Sequence, residues 1–107
     1  MKDIFPPLVE WGMEKGFKIM CILAVLYDGI EYEREAIRHE VLRRFDTKIS
    51  SSGVLLLLNL LRAIGYIERR NLGRYKPYKI TDKGKKAFER GLNHLKSLVK
   101  RLEKRMS

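Results

Sequence analysis

Residues 50–84 read SSSGVLLLLNLLRAIGYIERRNLGRYKPYKITDKG. The order is a capped apolar helix, a glycine stop, a short strand, a basic turn, a second strand and a new helix start. Ser50 can accept the amide hydrogen bonds of the first helical turn. The apolar run carries the helix to Ile64, and Gly65 suits the left-handed stop after it. Residues 66–70 then read as a strand, with Tyr66 and Ile67 as β-formers. Asn71-Leu72-Gly73-Arg74 is turn chemistry. The chain returns over residues 75–80, where Pro77 is tolerated in an edge strand. Thr81 or Asp82 caps a final helix that reaches about Arg105.

Upstream, residues 17–27 are apolar nearly all round and read as the central helix of the core. Asp28-Gly29 stops it. Residues 30–32 could form a brief strand that pairs with the later hairpin. Residues 33–45 form the next helix, with Ala36, Ile37, Val41 and Phe45 as its inner stripe. Arg34, Arg38, Arg43 and Arg44 lie outside, interleaved with glutamates, and residues 46–48 turn the chain. At the front, Ile4, Phe5, Leu8 and Trp11 fall at helical spacing around Pro6-Pro7. Gly12 and Gly16 weaken this first segment, which either ends near Lys15 or merges into the next helix.

A chain of 107 residues has room for one domain with a single modest core. The division is a core over residues 17–80 and a C-terminal helix over residues 82–105. Hydrophobic content of 45% beside charged content of 34% suits a folded chain and argues against disorder. The longest unbroken apolar run, residues 19–27, falls well short of the ~20 residues a membrane span needs. Met1-Lys-Asp leads into Ile-Phe-Pro-Pro rather than a long apolar stretch, so a cytoplasmic, nucleoid-associated location is expected. The single cysteine, Cys21, lies inside the apolar run and reads as a small buried hydrophobe. Glutamine is absent and Lys, Arg and Glu abound, a thermophile-like bias.

Charge is unevenly spread. Residues 1–49 hold 8 Lys+Arg and 9 Asp+Glu, a net of −1; residues 50–107 hold 15 and 4, a net of +11. The excess therefore sits with the hairpin and last helix, where it attracts polyanions. A helix followed by a cationic hairpin is a shape that can sit on a nucleic-acid duplex. In the last helix, Phe88, Leu92, Leu95, Val99, Leu102 and Met106 alternate at spacings of four and three, an a/d seam. The seam either packs on the protein's own core or pairs with a second copy. Pairing is the preferred reading, since a helix overhanging a compact domain would otherwise expose Leu and Met.

The whole pattern resembles winged-helix transcription regulators, most closely the PadR-like group and its small archaeal and viral relatives. The likeness rests on residues 49–84. Ile49-Ser-Ser-Ser-Gly-Val-Leu looks like the start of a recognition helix. Leu58-Asn-Leu-Leu-Arg-Ala-Ile-Gly-Tyr-Ile-Glu looks like its end and the first strand of a wing. Tyr78-Lys-Ile-Thr-Asp-Lys-Gly84 looks like the opening of the last helix in many such regulators. The resemblance implies a mainly α fold with a small β-hairpin wing (α+β): a winged helix-turn-helix with a long C-terminal dimerisation helix. It also implies a homodimer on double-stranded DNA, its recognition helices in major grooves roughly 34 Å apart.

Candidate contacts follow. Ser50, Ser51 and Ser52 stand at a helix N-terminus, which favours a phosphate; alternatively Ser50 only caps and the other two are solvated. Asn59 can pair with adenine and Arg62 with guanine, or both can belong to a solvated face. In the wing, Arg69, Arg70, Arg74 and Lys76 surround Gly73, with Tyr75 beside them, and Arg74 at the tip is the first choice for a phosphate or minor-groove contact. Lys48 could reach the backbone. The leucines complicate base readout. Val54, Leu57 or Leu55, Leu58 and Leu61 can face the core. Leu56 and Leu60 must then meet thymine methyls, the segment around Trp11, or another protein.

His39 and His94 lie far apart with no cysteine near, so no metal site is expected. No nucleophile-base order, phosphate-loop glycine set or paired-carboxylate signature is present, so neither an enzyme nor a cofactor is expected, and no effector pocket is legible. The competing reading is a winged-helix module that binds protein through its leucines, or one that binds nucleic acid without sequence preference.

Overall fold

The structure, a computed structural model, describes residues 13–106. It holds four helices and a two-stranded hairpin: α1 Met13–Leu26, α2 Arg34–Phe45, α3 Ser51–Ala63, β1 Ile67–Arg69, β2 Tyr78–Ile80 and α4 Asp82–Met106. Helix α1 is the centre of the core. Ile19, Ile22, Leu23, Val25 and Leu26 are all buried, as befits a helix apolar on most sides. It stops at Gly29, whose positive φ of 85° costs glycine little.

Helix α2 contributes a narrower stripe. Ile37 and Val41 are buried, but Ala36 and Phe45 are exposed rather than inward. One helical step of about 100° separates Ala36 from Ile37, enough to turn it out of the core. The helix ends on Asp46, which adopts the left-handed conformation (φ 49°) and donates its N–H to the Leu42 carbonyl at 3.0 Å. In the turn that follows, Arg38 Nη1 donates to the Ile49 carbonyl at 2.9 Å and ties α2 to the approach of α3.

Helix α3 begins as the sequence suggests. Ser50 Oγ accepts the Gly53 N–H at 3.0 Å. Val54, Leu57, Leu58 and Leu61 face the core, Leu55 and Leu60 are half-buried, and Leu56 is 63% exposed. The segment around Trp11 lies outside the described residues, as do Ile4, Phe5 and Leu8.

The hairpin pairs Ile67 with Ile80 and Arg69 with Tyr78. Its tip closes between Leu72 and Tyr75, whose N–H···O=C bond is 2.9 Å. Only Gly73 of the two tip residues has a positive φ, the pattern of a type II′ turn. The brief strand expected at residues 30–32 is a single bridge: Tyr32 and Tyr78 exchange backbone hydrogen bonds of 3.3 and 2.7 Å. Strand β2 is thus an edge of the two-stranded sheet, met on its outer side at Tyr78 alone. Pro77 fits because it precedes the strand, where no ladder N–H is required.

A clasp joins α3, the hairpin and α4. The Thr81 hydroxyl donates to the Gly65 carbonyl at 2.7 Å, and its oxygen accepts the Gly84 N–H at 3.0 Å, capping α4. Lys83 Nζ donates to the Ile64 carbonyl at 2.8 Å and lies over the Tyr66 ring. Beyond the clasp, Gly84, Ala87 and Gly91 let α4 settle closely on the core. Its 25 residues run about 37 Å, so the described residues span 55 × 28 × 24 Å.

Candidate nucleic-acid interface

Two elements present polar and cationic groups side by side. The outward face of α3 carries Ser52, Leu56, Asn59 and Arg62, all exposed. The hairpin beside it carries Arg69, Arg70, Arg74, Tyr75 and Lys76, also exposed. Two hollows join them. One is lined by Asn59, Arg62, Ala63, Ile67, Glu68 and Arg69. The other is lined by Leu55, Arg69, Lys76 and Tyr78 with the start of α2. Arg69 belongs to both, so helix and wing share one continuous concave surface.

The wing is held rather than free. Arg70 Nη1 sits 2.7 Å from Glu31 Oε2. The Tyr75 hydroxyl donates to the Glu31 carbonyl at 3.5 Å, and the Lys76 N–H donates to Glu33 Oε2 at 3.3 Å. Arg69 Nε donates to the Lys76 carbonyl at 3.3 Å, with its guanidinium 5.3 Å from the Tyr78 ring centre. Arg74 and the Lys76 ammonium carry no ion pair or side-chain hydrogen bond among the described residues. Arg70 and Tyr75 are thus occupied in holding the wing on the loop before α2, while the cationic ends of Arg74 and Lys76 are left unpaired among the described residues. Glu31 and Glu33 were not singled out by sequence reasoning. A glutamate in a loop carries no signal until the hairpin has been placed against it.

At the N-terminus of α3 the serines have separate tasks. Ser50 caps, while the Ser51 hydroxyl donates to Glu35 Oε2 at 2.9 Å. Glu35 also accepts from Arg38 Nε at 2.9 Å. Bonds from Ser51 and Arg38 hold its carboxyl below the usual carboxylate range. Ser52 remains exposed, its hydroxyl 3.5 Å from that of Ser50. Lys48 is exposed in the α2–α3 turn and lines a groove with Glu35, Arg38, His39, Leu42 and Ile49.

The expected seam of α4 divides. Phe88 packs against the Tyr27 ring with centroids 5.2 Å apart, and Leu95 also rests on the core. Leu92, Val99, Leu102 and Met106 are exposed, at 38, 53, 64 and 86%. The first turns therefore dock on the protein itself, and the distal half presents an apolar stripe. The Tyr27 hydroxyl donates to Glu89 Oε2 beside this joint, which pushes its pKa up.

Among the described residues, no group of three or more His, Cys, Asp or Glu side chains is placed to hold a metal. Burial pushes the Cys21 thiol up to about 11 despite a hydrogen bond with Thr47, the opposite of an activated nucleophile. No described helix is long and apolar enough to cross a membrane.

Solved structures share this architecture. A winged-helix DNA-binding protein from STIV is 26% identical, with 78% of this chain and 89% of that one covered at a TM-score of 0.66. A transcriptional regulator from Clostridium thermocellum is 21% identical, with coverage of 86% and 92% at a TM-score of 0.74; at that identity the likeness is one of fold. No protein-family model and no curated protein matches the sequence. The fold is a winged helix, with α2 and α3 in the place of the helix-turn-helix and the β1–β2 hairpin in that of the wing.

Proposed function

We propose that the protein binds double-stranded DNA and acts as a homodimeric transcription regulator, in the cytoplasm on the nucleoid. The observation that supports this best is the continuous surface of α3 and wing, joined at Arg69 and carrying unpaired Arg74 and Lys76 at its outer edge. The likeness to a winged-helix DNA-binding protein points the same way. In this reading Arg74 and Lys76 hold phosphates or the minor groove, and Lys48 and Ser52 approach the backbone near the start of α3. Asn59 and Arg62 are the base-reading side chains, and Leu56 meets a thymine methyl. Leu92, Val99, Leu102 and Met106 pair with their counterparts in a second copy. A closer kinship with the PadR-like group belongs to the same proposal. No catalytic role is assigned.

Selection of duplexes from a random pool, run beside light scattering, tests it. The expected result is an enriched inverted repeat with half-sites about one helical turn apart and a mass of two chains. Retention without enrichment would instead favour an architectural binder. A second reading has one observation in its favour: Leu56 is 63% exposed at the centre of the outward face of α3, where a protein partner would bury it. Under that reading, no duplex is retained, and Leu56→Ser abolishes capture of the partner.

A further inference from the structure

The hollow at the start of α2, already part of the proposed DNA-facing surface through Arg69 and Lys76, also holds groups that the proposed contacts leave unused. Leu55, Arg69, Lys76 and Tyr78 line it together with Glu33, Arg34 and Glu35. Its two carboxylates are each engaged. Glu33 accepts the Lys76 N–H, and Glu35 accepts from Ser51 and Arg38 while lying 3.4 Å from Arg34 Nε. Its donors are not. The Lys76 ammonium and the terminal nitrogens of Arg34 and Arg69 make no hydrogen bond among the described residues.

Tyr78 supplies an independent observation. Its side chain is 1% exposed, while the charged residues of the rim reach solvent, so it forms the floor. Its hydroxyl is shut off from solvent and has no hydrogen-bond partner. Such groups are rare because the lost bond to water is not replaced. Arg69 lies over the same ring. The first turn of α2 borders the hollow, and its N-cap residue, Glu33, makes no side-chain capping bond. Free terminal guanidinium nitrogens, an ammonium, an orphan hydroxyl and a helix N-terminus together describe a receptor for an oxyanion.

We infer that this cleft binds a single phosphate group. The phosphate has two possible sources: the DNA backbone, a case that rests on the proposed function, or a free phosphorylated small molecule whose binding would bear on the wing. The rim's three cationic side chains outnumber its two carboxylates, which suits a phosphate.

Inorganic phosphate is the probe, titrated into the full chain at constant ionic strength against chloride and followed by amide chemical shifts. Saturable shifts confined to the amides of residues 33–35, Leu55, Arg69, Lys76 and Tyr78 are expected. Arg34→Gln should weaken binding about tenfold, as loss of a charge-assisted fork implies. Tyr78→Phe keeps the ring in the core and removes only the oxygen. It should fold like the parent and bind phosphate several-fold more weakly. Unsaturable shifts, or equal responses in parent and both variants, would overturn the inference. The source is then read from a short duplex. Mutual displacement of phosphate and duplex, with duplex binding weakened in Tyr78→Phe, assigns the backbone. Unchanged duplex affinity in that variant assigns a free phosphorylated molecule, and the site stands either way. Because the first titration contains no DNA, its failure leaves duplex binding untouched, and a chain indifferent to duplexes can still pass it.

Discussion

Gly84 shows what one missing methyl does in this protein. A Cβ there would stand 2.0 Å from the Tyr66 carbonyl oxygen and 2.9 Å from Ile80 Cγ1. Backbone cannot yield as a side-chain tip can, so Gly84→Ala should cost about 3 kcal/mol or more, readable in urea unfolding. Ser50→Ala removes only the cap bond of α3 and should cost about 1 kcal/mol. Glu40 offers a check by acid. Its carboxyl accepts from Arg43 at 2.7 Å and from Arg44 at 2.8 Å, and these bonds hold its pKa down to about 2 from an ordinary 4.5. A depressed carboxylate adds stability that is complete above the ordinary value and lost as pH falls through the folded one. The Glu40 carboxyl resonance should therefore titrate near 2, and any stability difference from Glu40→Gln should fade between pH 4.5 and 2.

At the scale of elements, the wing matters most. It is a short hairpin, marginal alone, and Glu31 and Glu33 fasten it to the loop before α2. Glu31→Ala should leave the melting temperature nearly unchanged, since exposed ion pairs contribute little. It should nevertheless raise hydrogen exchange at Arg70 and Leu72, whose amides bond across the hairpin to Pro77 and Tyr75. Unaltered exchange would reject the clamp. This division also explains what the sequence revealed. Cap, glycine stop, turn and helix start are local events, written in Ser50, Gly65, Gly73 and Thr81, so their positions are legible. The tasks of Arg70 and Tyr75 depend on Glu31, about forty residues away, and no periodicity reports such a pairing. The same holds for α4, where a uniform a/d spacing hides the split between Phe88 and Leu95 on the core and Leu92, Val99, Leu102 and Met106 outside it. Leu56 is a partial case: crowding on α3 made an outward leucine inevitable, but not what it meets.

Two features mark the whole molecule: a cationic concave face made by α3 and wing, and an apolar stripe along the distal half of α4. The stripe lies beyond the residues that α4 buries on its own core. Val99→Lys with Leu102→Lys should therefore convert the expected dimer to a monomer in light scattering without unfolding the domain. Duplex affinity should fall sharply in that variant, because two linked half-sites no longer act together. The most direct test of the central claim is the dependence of duplex affinity on salt. Log affinity should fall linearly with log salt concentration, as expected when phosphates are neutralised and counterions released. Arg74→Ala with Lys76→Ala should weaken binding several-fold and lower the slope by about two. Absence of binding at low ionic strength, or a slope identical in parent and double variant, would contradict the account.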